Sequence, residues 1–227
     1  MKKTIFLFLL LVGTLSINAQ KFEGTIKMKL SFKGAAAQMM QAMSPSEMVF
    51  KMSNDKMSTK FSGGMSSMMG KIISDGEKDY MIMDSQKTAY LMDNTEEESV
   101  DNEPEPKITD LNITEKVAGY DCKKFKVELP DTGEDQQVKL FYVWIAQNFN
   151  AKFYSPDMQK GSSNAKVYEK LNGFPFKQEI LMNSEMGEIT TINEVSEVTK
   201  EKIDASEFKV PDGYTIKPMS EFNMFGN

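Results

Sequence analysis

Residues 21–32 alternate strictly. Phe22, Gly24, Ile26, Met28, Leu30 and Phe32 hold one parity; Lys21, Glu23, Thr25, Lys27, Lys29 and Ser31 hold the other. Side chains on a β-strand point to opposite faces in turn, so this segment is a strand with one buried and one wet face. A helix of period 3.6 would mix the two sets on every side. Related patterns recur along the chain. Residues 47–53 and 56–62 read as strands about a turn at Asn54-Asp55. Residues 71–93 read as a three-strand meander, turned at Asp75-Gly76 and at Asp84-Ser85-Gln86. Residues 107–117 and 122–129 follow; in the second, Phe125, Val127 and Leu129 oppose Lys124, Lys126 and Glu128. Residues 137–146 are apolar on both parities at their centre, which predicts a strand covered on both faces. Residues 176–182 and 188–199 are the last long strands. Short helices are expected over 35–43 and over part of 148–160. The expected fold is mainly β with a few short helices: about nine or ten strands in a large twisted antiparallel sheet, an open half-barrel or a barrel.

The N-terminus has the layout of a secretory signal peptide. Lys2 and Lys3 precede an unbroken apolar run over 5–12, and Ser16-Ile17-Asn18-Ala19 ends on a small residue, so cleavage is expected after Ala19. The run is shorter than the roughly 17–25 residues that span a bilayer. No Cys lies near the cleavage site, which argues against a lipoprotein anchor, and no later segment reaches membrane-spanning length. The expected organisation is a leader over 1–19 and a single β-rich domain over 20–227, soluble in the periplasm or secreted. Within it, residues 94–107 are acidic, carry Pro104 and Pro106, and read as a flexible loop.

Composition removes most enzymology. The 227 residues include no His and no Arg, so all 27 basic residues are Lys, and Cys122 is the single Cys. Ser-His-Asp and Cys-His pairs need a His. So does a His-ligated metal site, and a multi-Cys site needs more than one thiol. No guanidinium is present for bidentate phosphate or guanine recognition. The net charge is −6 before leader removal and more acidic after it, because the leader holds two lysines and no acid. That balance argues against nucleic acid or an anionic membrane as the main partner. No cofactor is implied, and no intrachain disulfide can form.

Four short motifs occur in order: Gly119-Tyr120-Asp121-Cys122-Lys123-Lys124-Phe125, Val143-Trp144-Ile145, Gly173-Phe174-Pro175 and Phe208-Lys209-Val210-Pro211-Asp212-Gly213-Tyr214. Together they resemble a large family of extracytoplasmic bacterial domains catalogued only as a domain of unknown function. More broadly, Ile73-Ser74-Asp75-Gly76, residues 80–84 and residues 87–91 are similar to the central meander of LolA/LolB-type lipoprotein carriers. The resemblance implies an open half-barrel around an apolar cavity for acyl chains, and a lipid or lipoprotein ligand.

Methionine carries the strongest functional signal. Of 19 Met, 13 fall between Met28 and Met92, with two clusters: Met39, Met40 and Met43, and Met65, Met68 and Met69. Unbranched thioether chains fill irregular core gaps, and they also form adaptable apolar surfaces that repack around varied ligands. These six residues are the candidate ligand-binding set, for a lipid or lipidated chain held without catalysis. Two rivals stand beside that reading. One is a structural or interaction domain with a fully packed sheet. The other is Cu(I) binding, which needs three or more Met sulfurs on one point. Cys122 beside Lys123 and Lys124 is expected to be a packed, unreactive thiol rather than an activated one. Trp144 is expected in the core.

Overall fold

The structure is a computed structural model that describes residues 21–64, 70–92, 105–130, 138–151, 167–168, 170–171, 173–184 and 187–222. The expected leader, Met65, Met68, Met69, most of the acidic loop and Ser155-Pro156 lie outside the described residues. Among the described residues, no helix is long and apolar enough to cross a membrane.

The strands come in chain order as β1 (Glu23–Gly34), β2 (Glu47–Ser53), β3 (Lys56–Ser62), β4 (Lys71–Ser74), β5 (Asp79–Met83), β6 (Thr88–Leu91), β7 (Lys107–Val117), β8 (Tyr120–Glu128), β9 (Val138–Ala146), β10 (Pro175–Ser184), β11 (Gly187–Lys200) and β12 (Thr215–Pro218). One helix, α1 (Ala37–Met43), joins β1 to β2. All twelve strands lie in one sheet, in the order β12-β6-β5-β4-β3-β2-β1-β11-β10-β9-β8-β7. The sheet is open, with β12 and β7 as its edges, although β7 curls back until it approaches β11. Each sequential strand from β1 to β6 pairs antiparallel with the next, and so do β7 to β11. The two meanders are joined by β1 against β11.

The twelve strands exceed the nine or ten expected, and one pair departs from the antiparallel reading. β12 lies parallel to β6, with Thr215 opposite Thr88 and Pro218 opposite Leu91. Its four residues are largely exposed, so no burial pattern marks it in the sequence. It is held by its neighbours. The Tyr214 hydroxyl donates to Asp84 Oδ1 at 2.7 Å, and the Thr215 N–H donates to the Lys87 carbonyl at 3.0 Å.

The alternation of β1 does what the pattern requires. Phe22, Ile26 and Met28 enter the main core with Phe50, Met52, Trp144, Phe149, Phe174, Phe176 and Val195. An extra residue, Ser196, bulges β11 opposite the Lys27–Met28 step and bends the sheet there. β9 is covered on both faces, as its sequence predicts. Trp144 belongs to the main core, while Phe141, Val143 and Ile145 pack with Val127 and Val167. Asn148, Phe149, Asn150 and Ala151, the described part of the stretch expected to be partly helical, contain no helix. Val167, Tyr168 and Leu171 instead bring a helical turn onto β9 and β10. Of the acidic stretch, Glu105 pairs with Lys170 at 2.5 Å and Lys107 opens β7.

Candidate ligand-binding site

Methionines separate into two populations. Met28, Met52, Met81 and Met83 are buried, and Met48, Met57 and Met92 pack against the same clusters. Those are core residues, filling space as flexible thioethers do. Met39 and Met43 are not: they stand 43% and 52% exposed, and Met219, just after β12, is exposed as well. Met40 is half-buried.

The reason is the helix that carries them. α1 has no buried residue and no side-chain N-cap, and among the described elements β1 is its main support. Seven residues make two turns, too short to be stable without packing. It is pinned at its ends instead. Ala36 is buried beneath its start, and the Gln41 side chain donates to the Leu30 carbonyl at 3.5 Å. The strand below, past Met28, carries half-buried Leu30 and Phe32. The result is an apolar corner of the sheet with Met side chains on its outer side.

The end of β3 comes to the same corner. Gly64, the described residue before Met65, sits at φ +55° against the end of α1; a Cβ there would collide with the Ser44 carbonyl oxygen. Only glycine permits that approach. The Ser46 N–H donates to the Ser62 carbonyl at 2.8 Å and ties the two segments together. Met39, Met40 and Met43 are therefore placed on α1, with Gly64 against its end, while Met65, Met68 and Met69 lie outside the described residues.

A cleft of about 500 Å³ lies at the opposite end of β1, roughly 35 Å away at the rise of an extended strand. Phe22, Tyr120 and Phe149 form its apolar lining, and Lys21, Glu23, Lys200, Glu201 and Lys202 are among its charged residues. Sequence reading did not find it. Its residues come from the start of β1, the start of β8, the segment after β9 and the end of β11, and no local spacing joins them.

The four motifs are structural devices. Ala118 and Gly119, at φ +48° and +85°, turn β7 into β8, so Tyr120 faces Val117 across a two-residue hairpin. Both central residues at positive φ match the twist of paired strands. Gly173 leaves room for the Ile145 side chain, which a Cβ there would meet, and Phe174 and Phe176 are fully buried. Phe208 is buried, while Val210 and Tyr214 pack on β4–β6. Cys122 is fully buried, and burial pushes its thiol up to about 11. Among the described residues, no cluster of three or more His, Cys, Asp or Glu could hold a metal ion.

These motif positions fall within one family. A family model described as a domain of unknown function (DUF4412) matches residues 22–214. The chain belongs to this family. The matched DUF4412 span runs from the start of β1 to Tyr214, just before β12. No curated protein sequence matches the chain. Among solved structures, it is similar to an uncharacterized conserved protein from Thermus thermophilus, at 7% identity over 86% of this chain and 91% of that one, with a TM-score of 0.45. It is also similar to a LolA superfamily protein from Nitrosomonas europaea, at 11% identity over 83% and 90%, TM-score 0.33. A putative outer membrane lipoprotein-sorting protein domain from Vibrio parahaemolyticus shows 11% identity over 82% and 89%, TM-score 0.31.

Proposed function

We propose that the protein is a non-catalytic binding protein of the cell envelope, which holds an apolar ligand, a lipid or lipidated chain, at the Met-bearing corner of its open sheet. The supporting observation is the contrast between the buried methionines of the core and the exposed Met39 and Met43 on a helix with no buried residue. Full burial of a Met side chain contributes about 1.5–3 kcal/mol. A ligand covering α1 would recover that term, and thioether chains repack readily around different shapes. The proposed site also includes Met65, Met68 and Met69, which follow Gly64 in sequence. The leader-like residues 1–19 support the envelope assignment.

The test is a titration of the protein, labelled with ¹³C at its Met methyl groups, with palmitate. The methyl signals of Met39, Met40 and Met43 shift saturably on this reading, and Met39→Gln with Met43→Gln weakens the effect. Unmoved signals at those three positions, at palmitate concentrations below micelle formation, would refute it.

A second reading has its own support. Both faces of β9 and of β5 are packed, in four separate clusters. That density suits a structural or interaction domain, the reading to adopt if the titration shows no uptake.

A further inference from the structure

The cleft at the start of β1 lies far from the Met corner and has a different chemistry. We propose that it is a separate binding site for a small amphiphilic carboxylate. The apolar body of the ligand rests on Phe22, Tyr120 and Phe149, and its carboxylate meets Lys200 and Lys202. A volume of about 500 Å³ lies within the range of small-molecule sites. The apolar lining is preformed. The Phe22 and Phe149 ring centroids are 4.6 Å apart, Tyr120 meets Phe149 edge-on at 5.4 Å, and the Phe22 N–H donates to the Asn150 carbonyl at 2.7 Å. A ligand gains contact there without ordering the protein first.

The charged residues select the sign. Lys21 is held by Asp55 at 2.5 Å. Glu23 Oε1 accepts the Ile203 N–H at 3.0 Å, and Glu201 Oε1 accepts the Thr25 hydroxyl at 2.6 Å. Lys200 and Lys202 are exposed, and among the described residues neither ammonium lies within ion-pair distance of a carboxylate; Asp204 acts on Lys202 only at longer range. Among the described residues, Lys200 and Lys202 are therefore the charged side chains of the lining that stand clear of a close partner, whereas Glu23 and Glu201 are turned to donors of the protein. With Lys21 neutralised by Asp55, Lys200 and Lys202 balance Glu23 and Glu201 in formal charge, and a monoanion seated at the two ammoniums adds a single negative charge to the lining. A dianionic phosphate would also face Glu23 and Glu201 with unbalanced charge.

The experiment compares octanoate, 1-octanol, acetate and octyl phosphate by calorimetry and by backbone amide shifts. Octanoate binds saturably and shifts the amides of Tyr120, Lys200 and Lys202. Octanol and acetate, each lacking one half of the recognition, bind at least about tenfold more weakly. Lys200→Gln with Lys202→Gln weakens octanoate by about fivefold or more, the scale of two exposed charge contacts. Lys200→Arg with Lys202→Arg retains binding, which separates lost charge from lost folding. The octanoate-dependent shifts of the Tyr120, Lys200 and Lys202 amides are read separately from the palmitate-dependent shifts of the Met39 and Met43 methyl groups, so this site and the Met corner stand or fall separately. Octanol binding as tightly as octanoate, octyl phosphate binding more tightly, or a lysine-to-glutamine double variant that binds normally would overturn the proposal.

Discussion

Cys122 shows what one residue's surroundings decide. Its thiol is fully buried, donates to the Tyr120 carbonyl at 3.5 Å, and is pushed up to about 11 by burial, with Asp121 adding to the effect. The thiolate is the nucleophile, so the native protein resists alkylation at pH 8 and the unfolded chain reacts at once. Iodoacetamide labelling with and without urea checks this; rapid native labelling would contradict it. The same shift fixes a pH dependence. The folded state keeps its proton where the unfolded thiol, near 9, loses it. The contribution is complete below about pH 9 and is lost as pH rises toward 11. Cys122→Ala flattens the decline of stability over that window, measured by urea denaturation. Strand parity placed Cys122 with Lys124 and Lys126, and that phase holds: Cys122 faces Ala146 and Lys124 faces Trp144. The parity could not show what lies beneath the lysines. Lys124 Nζ stands 4.3 Å from the Trp144 ring centroid and Lys177 Nζ 4.7 Å, so long aliphatic stems cover an aromatic surface. Lys-rich alternation read as a wet face because a stacked lysine and a solvated one look alike in sequence.

Elements were legible where a side chain pattern or turn chemistry set them. β2, β3 and the Asn54-Asp55 turn coincide with the sequence reading, because alternation and a two-residue turn fix both register and ends. β12 and the turn of Val167 and Tyr168 were not legible, since partners far along the chain hold them. The β7–β8 hairpin lies between these cases: Gly119 marks a turn, but Ala118 at φ +48° is unusual for a residue with a Cβ. Ala118→Asn supplies the preferred Asn-Gly pair and should stabilise the protein by about 0.5–1 kcal/mol, read from urea midpoints. A destabilised variant would show that the hairpin is not built this way. The 3-10 turn Ala205–Phe208 is anchored on the sheet by Glu207, which meets Lys51 at 2.6 Å and Lys71 at 3.4 Å. The hydrogen bond from Lys51, helped by Lys71, holds the Glu207 carboxyl below its ordinary range. A depressed carboxylate stabilises above its unfolded value and loses that contribution as pH falls through the folded one. Glu207→Gln therefore costs about 0.5–1 kcal/mol at pH 7, with the difference from the parent shrinking in acid.

The described residues form an open twelve-stranded sheet with two chemically distinct regions at the ends of its first strand. Sequence composition located the Met-bearing end, because clustered methionines are visible without a fold. It could not separate the packed Met81 and Met83 from the exposed Met39 and Met43, since burial depends on which strand or helix covers which. The cleft at the other end was illegible for a simpler reason: its aromatic residues and lysines meet only once β1, β8 and β11 are assembled. The absence of His and Arg narrows the chemistry from the outset. The most direct test of an apolar cargo is native mass spectrometry of the protein purified from its own envelope, with lipid extraction of the same sample. A stoichiometric lipid adduct, lost in the Met39→Gln and Met43→Gln double variant, is the predicted result. A clean ligand-free mass that takes up no added fatty acid or lipopeptide would contradict it.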